Sequence, residues 1–123
     1  MLLTLALPFG CVGCVLDGGS ATYEQISGAE AKALMDSESG YIIIDARTQS
    51  EYDEGHIPGA ILIPEYEIVN RAEKELPDKK QLILVYCRSG RRSKIAAEEL
   101  VKLGYTNVKE FGGIIDWEYE IVK

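Results

Sequence analysis

The stretch that decides the fold is residues 82–93, which read LILVYCRSGRRS. Its first five residues are apolar or aromatic, as is typical of a strand in a parallel sheet that is covered on both faces. Cys87 follows this strand directly, and the polar residues after it lead to Ser93, which we predict to cap a helix that continues to about Leu103. A cysteine is therefore predicted at the carboxyl end of a buried strand, beside the N-terminus of a helix.

Strand and helix patterns alternate along the rest of the chain. A second apolar run, YIIID at residues 41–45, predicts another buried strand. Ser27 with Glu30, and Thr48 with Glu51, have the spacing of capping boxes and predict the starts of two helices. The remaining predicted elements are a strand at 60–63, a helix at 65–75, a strand at 108–111 and a last helical turn that contains Trp117. This alternation predicts an α/β domain with a parallel sheet and helices on both faces.

Composition excludes several classes of protein. The chain has 123 residues, of which 46% are hydrophobic and 27% charged, as in soluble globular domains. Its net charge of -7 argues against nucleic-acid binding, which needs a basic face. Three cysteines, of which one is remote from the other two, predict neither a disulfide framework nor a structural zinc site, and no cofactor is expected.

Residues 1–20 differ from the predicted domain at 21–123. They are apolar up to Leu16 and end in a Gly-rich linker, and the apolar part is too short to span a bilayer. This leader is consistent with a lipoprotein signal in which Cys14 carries the lipid, which would tether the protein outside the cytoplasm. The alternative is an unstructured leader on a cytoplasmic protein.

The position of Cys87 favours a reactive thiolate. The positive end of a helix dipole, backbone N–H groups gathered by Gly90, and nearby arginines would all stabilise the anion and lower the pKa of the thiol. The alternative is a buried, inert cysteine beside a solvated arginine pair. The five residues after Cys87 include no large apolar side chain, which favours the reactive thiolate.

Four segments together resemble the rhodanese family of sulfurtransferases. They are CRSGRRS at 87–93; DART at 45–48 with EY at 51–52 and GHIPGA at 55–60; GY at 104–105 with NV at 107–108; and FGG at 111–113 with Trp117. The resemblance extends over roughly residues 23–121. It implies a five-stranded parallel sheet with helices on both faces and one catalytic cysteine, Cys87, that carries a persulfide.

The resemblance also implies the partners of the reaction. The Cys87 thiolate would attack the outer sulfur of thiosulfate, a polysulfide or a protein persulfide, and cyanide or a thiol would then accept the sulfur. Arg92 is expected at the rim of the pocket, whereas Arg88 and Arg91 are expected to attract anions from solvent. The residues expected to bind the substrate are Arg88, Ser89, Gly90, Arg91, Arg92 and Ser93.

Two residues at the end of the first buried strand are candidates for a supporting role. Asp45 is expected to position the Cys87 loop as a hydrogen-bond acceptor, and Arg47 either reaches the pocket or forms an ion pair with Glu51. His56, the one histidine, is interpreted as a turn residue whose ring bonds to backbone groups.

Two other classes of function remain open from the residues. Phosphatases related to rhodanese carry five residues between the cysteine and the arginine of their loop, whereas four separate Cys87 from Arg92. A cysteine-dependent phosphatase or arsenate reductase is therefore the nearest alternative enzyme. A non-catalytic sulfur carrier or interaction module is the alternative of a different class, although such rhodanese-like domains usually lack the cysteine that is present here.

Overall fold

The computed structural model describes residues 22–123. The predicted leader and the predicted lipid attachment at Cys14 lie outside the described residues, so both stay predictions. Within residues 22–123, every helix is too short or too polar to cross a lipid bilayer.

Five parallel strands form one sheet in the order β1-β5-β4-β2-β3. The strands are β1 Glu24–Gln25, β2 Ile42–Asp45, β3 Ile61–Leu62, β4 Ile83–Cys87 and β5 Val108–Gly113. The α-helices are α1 Gly28–Ser37, α2 Gln49–Glu54, α3 Ile68–Glu75 and α4 Arg91–Lys102, and short 3-10 helices span Glu65–Glu67 and Ile114–Asp116. The predicted α/β fold with a parallel sheet is confirmed.

The sheet separates two apolar layers. On one face, Val85 and Cys87 of β4 pack with residues of α3 and α4, such as Ala72 and Leu100. On the other face, Leu84 and Tyr86 pack with residues from α1, α2 and the C-terminal segment, which include Ala31, Leu34, Tyr52 and Trp117. Because alternate residues of β4 are buried in opposite layers, all five are fully covered, which explains the continuous apolar run.

Both predicted capping boxes are present. The Ser27 hydroxyl accepts from Glu30 N–H, and the Thr48 hydroxyl accepts from Glu51 N–H, while each glutamate side chain accepts from the backbone N–H of its own cap residue. These reciprocal bonds start α1 and α2 at Gly28 and Gln49.

One local prediction is wrong, and one strand was missed. Ser93 does not cap α4: the cap is Gly90, and the helix begins two residues before Ser93, at Arg91. Gly90 adopts φ 110°, a left-handed conformation that glycine reaches without steric cost. The chain therefore turns into the helix at Gly90, three residues before Ser93. Strand β1 was not predicted, because two exposed residues carry no apolar pattern.

A buried polar network joins β2 and β4 to the turn after α2. Asp45, which is fully buried, accepts from the Arg47 guanidinium at 2.8 Å and from the Tyr86 hydroxyl at 2.6 Å. Arg47 in turn donates to the Gly55 carbonyl at 2.6 Å, and Ile57 N–H donates to the Tyr86 hydroxyl at 3.1 Å. Each buried polar group of this network therefore has a partner.

Replacing Tyr86 by phenylalanine should destabilise the fold. The change removes one donor from Asp45 and leaves the buried Ile57 N–H without an acceptor, so the free energy of unfolding should fall by about 1–3 kcal/mol. Urea unfolding measures the difference. The matched control is Tyr66→Phe, because Tyr66 is 65% exposed, and it should change stability by less than about 0.5 kcal/mol. Equal effects of the two variants would contradict the role of the network.

Candidate active site

Cys87 is the last residue of β4, and a short loop follows it. The loop consists of residues 88–90, since α4 begins at Arg91, and Cys87 is only 1% exposed. A turn this tight directs backbone N–H groups at the start of α4 back toward the cysteine, as expected at a helix N-terminus.

The loop lies directly against β5. A Cβ atom at Gly113 would come within 2.0 Å of the Arg88 carbonyl oxygen and 2.6 Å of Ser89 Cα, so only glycine fits. The register of β4 on β5 shifts between Val85 and Cys87, and Ile115 N–H donates to the Arg88 carbonyl at 3.2 Å. Because Gly113 has no side chain, β5 and the residues after it can pack directly against the loop.

Two hydrogen bonds reach the Cys87 sulfur. Gly90 N–H lies 3.0 Å from Sγ, and the Ser93 hydroxyl lies 3.3 Å from it. Burial raises the pKa of the thiol, but the Ser93 hydroxyl and the N–H groups of Ser93, Gly90 and Ser89 lower it, so the net pKa is below the ordinary cysteine value. The structure thus supports the predicted thiolate, and hydrogen-bond donors are the groups that favour it.

Arg92 is bound to a partner that the sequence did not indicate. Its guanidinium forms a two-pronged ion pair with Glu51, with N–O distances of 2.8 and 2.9 Å. Glu51 lies in the first turn of α2, so the ion pair connects the first turn of α4 to the first turn of α2. Arg92 therefore makes no hydrogen bond to the loop carbonyls in this structure, and its contact with a substrate stays a prediction.

The predicted Arg47–Glu51 ion pair is also wrong. Arg47 pairs instead with Asp45, and only 6% of its side chain is exposed. The Asp45 side chain accepts hydrogen bonds from Arg47 and Tyr86, and none of these hydrogen bonds involves residues 88–93. Asp45 therefore does not position the Cys87 loop by direct hydrogen bonding, because its acceptors are already used in the buried network.

The other loop residues divide by exposure. Arg88, Ser89 and Arg91 are exposed, whereas Gly90 and Ser93 are buried. The exposure of Arg88 and Arg91 agrees with the sequence analysis, and their attraction of anions through solvent stays a prediction.

His56 makes the backbone contact expected of a turn residue. Its Nδ1 lies 2.9 Å from the Tyr52 carbonyl oxygen, and its ring stacks on the Tyr52 ring at a centroid distance of 3.7 Å. Its own backbone pairs with Val122 near the C-terminus.

Sequence reasoning missed two acidic residues of the site. Glu51 was assigned to the wrong arginine, because its true partner is 41 residues away in the chain. Glu110 lies within the predicted strand at 108–111 with no functional role assigned to it, but it is 2% exposed and accepts from the Ser93 hydroxyl at 2.5 Å. An acidic residue two positions after Val108 on the buried side of a strand was the one available signal.

The arrangement suits nucleophilic chemistry on an anion. It offers a sulfur nucleophile with two hydrogen-bond donors, below a rim that carries positive charge. In the described part of the chain, no three His, Cys, Asp or Glu side chains gather as they would to bind a metal ion.

This fold and loop define a recognised class of protein. The rhodanese-like domain family matches residues 27–120, so the chain belongs to the rhodanese-like family.

Two curated relatives illustrate the range of that family. The chain is 42% identical over 73 residues to the thiosulfate sulfurtransferase PspE of Escherichia coli, with 59% of this chain and 70% of PspE covered. It is 35% identical over 99 residues to the putative sulfur carrier protein YrkF of Bacillus subtilis, with 80% of this chain but only 52% of YrkF covered.

Solved structures of rhodanese-type proteins also match the chain. A rhodanese with anions from E. coli matches at 40% identity and a TM-score of 0.64, covering 68% of this chain and 98% of that one. A thiosulfate sulfurtransferase from Pseudomonas aeruginosa matches at 30% identity and a TM-score of 0.73, covering 81% of this chain and 20% of that one.

The Glu51–Arg92 pair predicts a pH-dependent contribution to stability. Hydrogen bonds from Arg92 lower the pKa of Glu51 to about 2 in the folded chain, against about 4.3 for an ordinary glutamate. A lowered folded pKa means that the stabilisation is present above the unfolded value and is lost as pH falls toward about 2.

Glu51→Gln should therefore lower the free energy of unfolding at pH 7 and have a smaller effect near pH 2, where the wild-type carboxylate is itself partly protonated. Glutamine can keep the capping box, so the variant isolates the charge. Urea unfolding at the two pH values measures this, with Glu98→Gln on the exposed side of α4 as control. An equal loss at both pH values would show that the ion pair is not the cause.

Proposed function

We propose that this chain is a sulfurtransferase that moves a sulfane sulfur from a small anionic donor to a thiophilic acceptor through a persulfide on Cys87. The observation that carries the proposal is the buried Cys87 sulfur, held by Gly90 N–H and the Ser93 hydroxyl at the end of β4. Membership of the rhodanese-like family supports it.

The first half-reaction loads the cysteine. The Cys87 thiolate attacks the outer sulfur of thiosulfate, a bond forms between Sγ and that sulfur, and the sulfur–sulfur bond of thiosulfate breaks. Sulfite leaves with the electron pair of the broken bond. The terminal persulfide sulfur then carries the negative charge, and the N–H groups at the start of α4 stabilise it as an oxyanion hole stabilises its anion.

The second half-reaction unloads it. A nucleophile such as cyanide or a thiolate attacks the terminal sulfur, and Cys87 leaves as the thiolate that began the cycle. Because Cys87 is a good leaving group only as an anion, the same hydrogen bonds serve both half-reactions.

The names of the relatives support thiosulfate as donor and a protein thiol as one class of acceptor. PspE and the Coxiella burnetii relative GlpE, which is 35% identical over 97 residues and of which 88% is covered, are both called thiosulfate sulfurtransferases. The exposed Arg88 and Arg91 suit a dianionic donor. YrkF, called a putative sulfur carrier protein, supports transfer between proteins.

The geometry favours sulfur transfer over phosphoryl transfer. A phosphatase of this type needs an arginine free to grip the phosphoryl oxygens. Here Arg92, the arginine at the end of the loop sequence, is engaged by Glu51 through two hydrogen bonds.

Cys87→Ser should abolish thiosulfate:cyanide sulfurtransferase activity. Serine has the size of cysteine but does not form an anionic nucleophile near neutral pH, so thiocyanate production should fall to the uncatalysed background. Mass spectrometry after incubation with thiosulfate should find one added sulfur atom on the Cys87 peptide of the wild type and none on the variant. Cys11→Ser and Cys14→Ser, in the predicted leader, are matched controls that should keep full turnover. Equal thiocyanate production by wild type and Cys87→Ser would refute the proposal.

The arginines should fall into two kinetic classes. Arg88→Ala and Arg91→Ala should mainly raise the KM for thiosulfate at low salt, and the difference should disappear as salt rises, because exposed charges are screened over about 10 Å at 0.1 M. Arg92→Ala should lower kcat/KM by about tenfold or more at every salt concentration, because a short charged hydrogen bond that holds the start of α4 is lost. The same salt-dependent defect in all three variants would contradict this division.

A further inference from the structure

Glu110 is a buried acidic residue beside the nucleophile. It is 2% exposed and pairs in the sheet with Val85, whose side chain lies in the same apolar layer as Cys87. The carboxyl group of Glu110 therefore lies beneath α4, on the Cys87 side of the sheet, in a position where a strand of this kind usually carries an apolar residue.

The carboxyl group has hydrogen-bond donors but no cationic partner. Its Oε2 accepts from the Ser93 hydroxyl at 2.5 Å and from Gly112 N–H at 2.9 Å. Among residues 22–123, no Lys, Arg or His side chain forms an ion pair with it. The hydrogen bonds from Ser93 and Gly112 are therefore the contacts that hold this buried carboxyl group in place.

Ser93 lies between the carboxyl group and the sulfur. Its Oγ is 2.5 Å from Glu110 Oε2 and 3.3 Å from Cys87 Sγ. A hydroxyl group has one proton to donate and can accept at the same time, so it cannot donate to both neighbours. If Ser93 donates to Glu110, its oxygen can accept from a Cys87 thiol; if it donates to a Cys87 thiolate, its oxygen can accept from a protonated Glu110.

We propose that Glu110 is a positioning residue that shares one proton with Cys87 through the Ser93 hydroxyl and holds that proton while Cys87 reacts. The two arrangements interconvert when the thiol proton passes to Ser93 Oγ and the Ser93 proton passes to Glu110 Oε2. No atom is gained or lost, and the site carries one negative charge in both arrangements. The catalytic meaning of this exchange rests on the proposed sulfur transfer.

The proton stays on Glu110 through the first half-reaction. The thiolate becomes a persulfide as sulfite leaves, and neither step consumes a proton. When the acceptor removes the sulfur, Cys87 returns as a thiolate that faces a neutral carboxylic acid rather than a second anion. Glu110 thereby removes a like-charge repulsion that would otherwise raise the cost of the thiolate.

Other charged groups near the site belong to separate pairs. Arg92 is bound to Glu51 of α2, and Lys109 of β5 is bound to Glu24 of β1. On the far face of β4, Asp45 is bound to Arg47 and Tyr86. Lys94 of α4 also lies near this carboxyl group, since a Cβ at Gly90 would lie 3.5 Å from Lys94 Nζ and 3.9 Å from Glu110 Oε2. These groups are unchanged in the variants below, so they do not account for a difference between them.

The test is the pH dependence of Cys87 alkylation by iodoacetamide, followed on the Cys87 peptide by mass spectrometry in the absence of any sulfur donor. In Glu110→Gln the amide carries no charge and cannot take up a proton, so alkylation should follow a single ionisation of Cys87, whereas in the wild type it should rise in two steps that belong to the coupled pair. The matched control, Glu98→Gln on the exposed side of α4, should leave the profile unchanged.

A second pair of variants separates the hydroxyl from direct charge repulsion. In a Ser93→Ala background, Glu110→Gln should shift the Cys87 profile by less than half as much as it does in the presence of Ser93. An unchanged profile in Glu110→Gln with a lowered melting temperature would show that Glu110 is only structural. An equal shift with and without Ser93 would overturn the proton-sharing route.

The wild-type protein offers a readout that does not depend on the stability of a Glu110 variant. The carboxyl ¹³C signal of Glu110 should move at the pH at which Cys87 ionises, and this step should be absent in Cys87→Ser. A Glu110 signal that does not respond to Cys87 would refute the inference. Because no sulfur donor is used, a failure here is distinct from a failure of the sulfurtransferase proposal, which thiocyanate production tests.

Discussion

Cys87 Sγ is almost completely shielded from water, so any negative charge on it has to be stabilised by groups of the protein itself. Gly90 N–H and the Ser93 hydroxyl supply that stabilisation, and they are in place only because the chain turns from β4 into α4 within three residues. The turn in turn requires a left-handed Gly90 and a Gly113 that leaves room for the Arg88 carbonyl. The stabilisation of the Cys87 anion therefore depends on the identity of two glycines, Gly90 and Gly113.

The charged residues around the loop are arranged so that most of them neutralise one another. Arg92 binds Glu51 across the edge of the sheet, and Arg47 binds Asp45 inside the far layer. Such pairs hold elements in place but leave little net charge to attract a substrate. Arg88 and Arg91 are exposed and belong to neither of these pairs, while Glu110 has only hydrogen-bond donors as partners. This division explains why the three arginines among residues 88–92 have different expected roles.

Much of the fold was predictable from local patterns. The runs at 41–45 and 82–86 became the central strands β2 and β4, and the capping boxes at Ser27 and Thr48 start α1 and α2. These predictions succeeded because burial on both faces and side-chain capping each leave a mark within a few neighbouring residues. The start of α4 was misplaced, because a serine is a common cap, whereas the left-handed turn at Gly90 depends on how the loop packs against β5.

The sequence by itself determined the class of fold, the position of Cys87 between a strand and a helix, and the presence of an arginine-rich segment after it. Only the tertiary structure decided the partners of the charged residues. Arg92 and Glu51 are 41 positions apart, and Ser93 and Glu110 are 17 apart, so neither pair follows from helical or strand spacing. The physical reason is that an ion pair or a buried hydrogen bond depends on the distance between two groups in space. In a parallel sheet, the order of the strands decides which distant parts of the chain come close together.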